Sequence, residues 1–241
     1  MKNILYPYTP ISALLGSVAL FMLGNGPLPT LLSSELSKND YSTWVIGLVM
    51  SQYYFGFVIG SFLGIKIISS VGHIRAFATF VSIISAITLI HAFIINPWLW
   101  GFFRFIVGIC AIGMFMCSES WLNSIANNNN RGQFFSVYTI LIYLFSGLGQ
   151  LLLLISDQNL FKIYAIFSIF MSLAIIPVAL TKNNPPKLNI IYFSAFKIWK
   201  ISPTGVTSSL LAGVIGGSFY SIGPVYAQRL GYDIPIIAFI I

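Results

Sequence analysis

Two ionisable side chains, Arg104 and Glu119, stand inside one long apolar run between residues 97 and 126. A charge at membrane depth is costly, so each calls for a partner or a pathway. Arg104 could draw an anionic solute group or respond to a protonation event; equally, it could be a structural arginine tied to helix carbonyls. Glu119 could carry a proton, because a carboxyl in a partly dry site holds its proton more tightly. It could equally form a latch with Arg75 or Arg131. Fifteen residues separate the two, which on a helix brings Glu119 back to within about 60° of the same face but roughly 22 Å lower. They cannot pair directly. Their roles must therefore be separate.

Around Arg104, other polar residues fall at the same depth. Arg104 lies roughly 10 Å into its helix, and Asn25 and Gln150 reach about the same level from two other spans. Three polar side chains at one level suggest a layer beside a central cavity, with Arg104, Asn25 and Gln150 as candidate solute-binding residues. Tyr53, Tyr54, Trp121 and Tyr220 could line that cavity, and Tyr220 joins the candidate set. His91, near the outer end of its span, reads as an interfacial histidine.

Other chemistries find no footing. The two histidines fall at opposite ends of one span, and no Cys/His/acid cluster has metal-ligand spacing. No glycine-rich loop leads into Lys-Ser or Lys-Thr, as a phosphate cradle requires. Cys110 and Cys117 lie about 10 Å apart along one helix, too far for a disulfide, and read as small buried apolar side chains. The sequence thus points to no enzyme, cofactor or metal.

The elements that must hold these residues follow from composition. The chain has 241 residues, of which 57% are hydrophobic and only 7% charged. A soluble domain carries about a quarter charged residues, so most of this surface must face lipid. An all-α membrane protein results, with apolar stretches matching about 20 residues per span. Seven spans are expected at roughly 10–32, 43–69, 74–94, 97–126, 134–156, 160–181 and 205–228, with an eighth beginning near Ile234 and stopping short. The amino-terminal run is too long for a signal peptide and reads as the first span. Polar connections include Ser33 to Ser42, the Asn127–Asn130 run, and a longer linker from Thr181 to Pro203.

Charge orients the chain. The net charge of +7 is spread between spans, which argues against a nucleic-acid partner. With the N-terminus inside, Lys2, Lys66, Arg75, Arg131, Lys182, Lys187, Lys197 and Lys200 share one side with no acid. The other side receives Lys38, Lys162 and Arg229 with Glu35, Asp40, Asp157 and Asp233. The positive-inside rule then makes the N-terminus and the lysine-bearing linker cytoplasmic, in a cell inner membrane. Within the linker, Ile190–Phe193 and Phe196–Lys200 mix aromatics and lysines, as a segment lying on the lipid surface does.

The chain also echoes itself. An offset of 197 positions aligns Ser12 with Ser209, Leu14 with Leu211, Gly16 with Gly213, and Gly26-Pro27 with Gly223-Pro224. A parallel repeat starting after span six is the plan of transporters built from two six-helix halves. The expected organisation is a six-helix bundle over 1–181, a cytoplasmic linker over 182–204, and the start of a second bundle over 205–241. On this reading the second half is truncated.

These residues carry a resemblance. Gly72-His73-Ile74-Arg75-Ala76-Phe77, Arg104-Phe105-Ile106-Val107-Gly108, Glu119-Ser120-Trp121-Leu122-Asn123, Arg131-Gly132, Gly147-Leu148-Gly149-Gln150 and Ile176-Pro177-Val178-Ala179-Leu180 together resemble the major facilitator superfamily. The nearest likeness is to a bacterial branch of sugar- or drug-type permeases, the YcaD kind. The resemblance implies secondary transport of a small solute by alternating access, coupled to protons, with Glu119, Arg75 and Arg131 in gating or coupling. The family's aspartate and following basic residue before the second loop glycine are replaced by Ser69 and Ser70, leaving Arg75 for the usual charge contacts. The fifth-span Gly-Pro signature of antiporters is missing from Gly147–Gln150, which points away from antiport. Two further readings remain: an inactive remnant of such a transporter, and a membrane interaction subunit that self-associates or joins other chains.

Overall fold

A computed structural model describes residues 8–155, 160–181 and 195–240. Lys2, Asp157, Lys182, Lys187 and the Ile190–Phe193 stretch, all used above to argue orientation or lipid contact, lie outside the described residues.

The helices run α1 (Tyr8–Asn25), α2 (Leu28–Lys38), α3 (Thr43–Val71), α4 (His73–His91), α5 (Pro97–Ile125), α6 (Arg131–Gln150), α7 (Leu160–Leu173), α8 (Ile175–Ala179), α9 (Ala195–Ile201), α10 (Pro203–Arg229) and α11 (Ile234–Ile240). A short 3-10 turn, Leu151–Ile155, extends α6. Seven stretches are long and apolar enough to cross a membrane. Their ends follow local chemistry. The Ser42 side chain accepts from the Val45 N–H to start α3, and Asn96 Oδ1 accepts from Trp98 and Leu99, with Pro97 following, to start α5. The asparagine run is the expected turn: Asn127 Oδ1 accepts from the Asn129 and Asn130 amides, and Asn130 Oδ1 accepts from Asn127. Such side chains satisfy helix-end amides that have no intrahelical partner.

Prolines break two spans. α1 gives way to α2 at Gly26-Pro27, and α7 to α8 around Ala174. At the second break, Pro177 has no N–H to offer Leu173, where α7 ends. Pro224 sits inside α10, which continues to Arg229.

The first span runs further than expected. Residues 33–42 read as a polar loop, yet α2 continues to Lys38 and buries Ser33, Ser34 and Glu35. Ser33 returns its hydroxyl to the Thr30 carbonyl at 3.3 Å. Glu35, only 4% exposed, is neutralised one turn on by Lys38 Nζ at 3.0 Å. The helix stops where the Asn39 side chain caps the Glu35 carbonyl and Asp40 turns to φ 61°. Local pairing therefore carries a carboxylate into a segment whose composition suggested solvent.

Packing is closest between α3 and α5. A Cβ at Gly56 would strike the Phe105 carbonyl oxygen, and one at Gly108 the Tyr53 carbonyl oxygen. A Cβ at Gly60 would lie 2.7 Å from the Ile109 Cα. Small residues four apart let two backbones touch, a major source of helix association in lipid, where apolar burial supplies little. Hydroxyls join α4 to α7: Ser85 Oγ lies 2.8 Å from both Ser168 Oγ and Ser172 Oγ. Against this bundle α10 packs on α2 and α3. Between α3 and α10 an open apolar groove of about 800 Å³ is lined by Leu210 and Val214, and Leu211 and Ile215 beside it are exposed.

Candidate functional site

Six helices converge on a cavity of about 170 Å³. α1 supplies Asn25, α2 Pro29, α3 Tyr53 and Tyr54, α5 Arg104, α6 Tyr143 and Ser146, and α10 Tyr220. The glycine contact at Gly108 sets the centre of this arrangement. It presses α5 against the Tyr53 backbone, and Arg104, one turn earlier, then lies over the Tyr53 ring at 4.3 Å from its centroid. A guanidinium on an aromatic face away from water is stabilised by about 2 kcal/mol. Tyr53 is held in turn by Tyr54 and Phe57, each with ring centroids 5.3 Å away.

The cation itself is unbalanced. Arg104 is 3% exposed and its Nε has no hydrogen-bond partner. Among the described residues no carboxylate pairs with Arg104; the ion pair of Lys38 with Glu35 lies elsewhere. Asn25 is buried nearby with its Oδ1 unpartnered. Buried polar atoms normally find partners, and these two belong to residues of the cavity wall, which makes the cavity the candidate site.

Asn25, Arg104 and Tyr220 therefore meet as the sequence suggested. Gln150 does not join them; its Nε2 donates to the Gly26 carbonyl at 3.3 Å and ties α6 to the α1–α2 break. Gly149 beside it leaves no room for a Cβ, which would lie 2.6 Å from the Leu23 carbonyl oxygen. Gln150 thus shapes the wall next to the cavity. Tyr143 and Ser146 went unnoticed, although Tyr143, Ser146 and Gln150 at helical spacing form a readable polar stripe on α6.

The second group of candidates lies at the other end of the bundle and is more dispersed. Glu119 accepts from the Tyr138 hydroxyl at 3.5 Å. Arg75 and Arg131 are exposed, Arg131 over Phe135 at 5.9 Å, and neither pairs with Glu119. The polar link there is different: His73 Nε2 and Ser120 Oγ, 2.8 Å apart, join the start of α4 to α5. His91, expected at an interface, is 3% exposed. Its Nδ1 meets the Ile87 carbonyl at 2.8 Å, and its ring sits among Trp100, Phe103 and Tyr164. Cys110 and Cys117 are unbridged and buried.

Seven apolar helices long enough to span a bilayer, around an arginine-bearing cavity, define a multi-pass membrane protein with a candidate solute site. Residues 13–241 match the sequence profile of the Major Facilitator Superfamily, and the chain belongs to that family. It is 26% identical over 229 residues to an uncharacterized MFS-type transporter of Enterobacter sp. (strain 638), covering 92% of this chain and 59% of that protein. It is 27% identical over 233 residues to the uncharacterized MFS-type transporter YcaD of Escherichia coli O6:K15:H31 (strain 536 / UPEC), covering 95% and 61%. The chain thus spans about three-fifths of these relatives' length. In fold it matches a bacterial homolog of the human lysosomal transporter Spinster, inward-facing and unoccupied, with a TM-score of 0.76 at 15% identity, covering 98% of this chain and 59% of that one. A D-xylose-proton symporter matches with a TM-score of 0.61 at 15% identity, over 98% and 64%.

Proposed function

We propose that this chain serves secondary active transport of a small solute across a bacterial inner membrane, by alternating access and coupled to protons. Residues 1–181 form the six-helix bundle, 182–204 a cytoplasmic linker, and 205–241 the start of a second bundle. The N-terminus is cytoplasmic. The observation that carries this reading is Arg104, a buried cation without a counter-ion in a cavity that six helices share. A purely structural arginine is expected to spend its donors on carbonyls, whereas Nε here has none. A site that faces the two sides in turn also needs hinges near it, and the Gly26-Pro27 break lies at the cavity wall. Family membership and the symporter's similar fold agree with coupling to protons. Glu119, Arg75 and Arg131 serve gating or coupling at the opposite end.

Reconstitution tests this. The purified full chain in sealed proteoliposomes accumulates radiolabelled solutes from a screened set under an inward proton gradient, and far less without it. Well-folded protein that moves no solute in either condition overturns the reading.

A further inference from the structure

We infer that the Arg104 cavity takes a small organic monoanion: one carboxylate on a flat, apolar body no larger than a single ring. The inference rests on reading this cavity as the solute site, and it names the chemical class.

Charge comes first. Arg104 is the one ionised group among the residues lining the cavity, which include no aspartate, glutamate or lysine. Taking a guanidinium out of water without a partner is unfavourable, and a single negative charge on the solute removes that imbalance. A second negative charge would itself be left buried and unmatched, and a cationic solute would be repelled. One charge is therefore the match.

Geometry selects the carboxylate. The Tyr53 ring covers one face of the guanidinium at 4.3 Å, so an anion meets it through N–H groups at its edge rather than through that face. Carboxylates bind guanidinium edges through two parallel N–H bonds.

The rest of the wall selects the body. Tyr53, Tyr54, Tyr143 and Tyr220 bring four aromatic rings, and Met22 and Ile142 add apolar surface. Short polar side chains are represented only by Asn25 and Ser146. A flat apolar body packs against these rings, and their hydroxyls can meet a polar substituent on it. At about 170 Å³ the cavity is smaller than the roughly 300–1,000 Å³ of sites for drug-sized ligands.

Benzoate is the probe. Isothermal titration and thermal-shift measurements on the detergent-purified full chain compare it with benzamide, benzylamine, phthalate and acetate. Benzoate is expected to bind saturably and to raise the unfolding temperature. Each of the others should bind at least tenfold more weakly, for lack of a negative charge, the wrong or a second charge, or a missing ring. Arg104→Gln should bring benzoate down to the level of benzamide, and Arg104→Lys should retain part of the preference. If the glutamine variant does not fold, the comparison among probes on the native chain still decides. No benzoate binding, equal affinity for benzoate and benzamide, or unchanged benzoate affinity in a folded Arg104→Gln variant overturns the inference. The assay needs no membrane gradient, so binding without transport counts against the transport reading alone. Transport of a solute that is neutral or cationic counts against the monoanion alone.

Discussion

At the scale of single residues, the two charges of α5 differ in how the protein accommodates them. Arg104 is placed from outside its own helix, by an aromatic ring on α3, and no carboxylate among the described residues pairs with it. Glu119 is less constrained. Its one recorded partner is the Tyr138 hydroxyl at 3.5 Å, and no arginine neutralises it. A carboxylate fixed by an arginine would resist protonation, whereas one facing a neutral hydroxyl can gain and lose its proton with little rearrangement. Glu119→Gln is therefore expected to abolish accumulation driven by a proton gradient in proteoliposomes, while leaving benzoate binding within about twofold of the native value. A latch role gives a different result. Gradient-driven uptake would survive in part, and the protease sensitivity of the loops near Arg75 and Arg131 would change instead.

At the scale of helices, the site depends on one close contact. Gly56 and Gly108 let α3 and α5 approach until a Cβ on either would strike the other's backbone, and Tyr53 reaches Arg104 because of that approach. Gly108→Ala should force the pair apart at a cost of about 1–3 kcal/mol. The unfolding temperature of the purified chain should then fall by about 5 °C, with weaker benzoate binding as Tyr53 moves off the guanidinium. Gly147→Ala is the control. A Cβ there meets nothing within 4 Å, so the variant should be neutral or slightly more stable, since alanine loses less backbone freedom in a helix. Little of this contact was legible in the sequence, although Gly56, Gly60 and Gly64 stand four apart. Small residues recur in most membrane helices, and spacing alone does not say which helix they face. Helix ends were easier to read: Ser42, Asn96-Pro97 and the asparagine run act locally, through their own side chains. Glu35 went astray because its burial depends on Lys38 and on tertiary neighbours, while composition registers only that it is charged.

At the scale of the whole molecule, spans alternate across the membrane, so one correct assignment of sides fixes all the others. The depth argument that grouped Asn25 with Arg104 used only helix rise and alternation, and the two do line one cavity. Gln150 came from the same argument and lies at the wall beside it, because depth does not specify which way a side chain points. Alternation leaves open which end faces the cytoplasm. That assignment rests on charge, since the excess of lysine and arginine falls on the side of the asparagine turn and the linker. The two native cysteines are buried, which gives a quiet background for labelling. Asn129→Cys places a thiol on the exposed turn before α6, and Asn39→Cys places one on the exposed turn after α2. In intact spheroplasts a membrane-impermeant maleimide should label the Asn39→Cys chain and leave Asn129→Cys unlabelled until the membrane is permeabilised. The reverse pattern would turn the molecule over, putting the Arg104 end of α5 towards the cytoplasm and Glu119 towards the outside. Labelling of both in intact cells would mean that the chain inserts in two orientations, and a fixed polarity of transport would then fail with it.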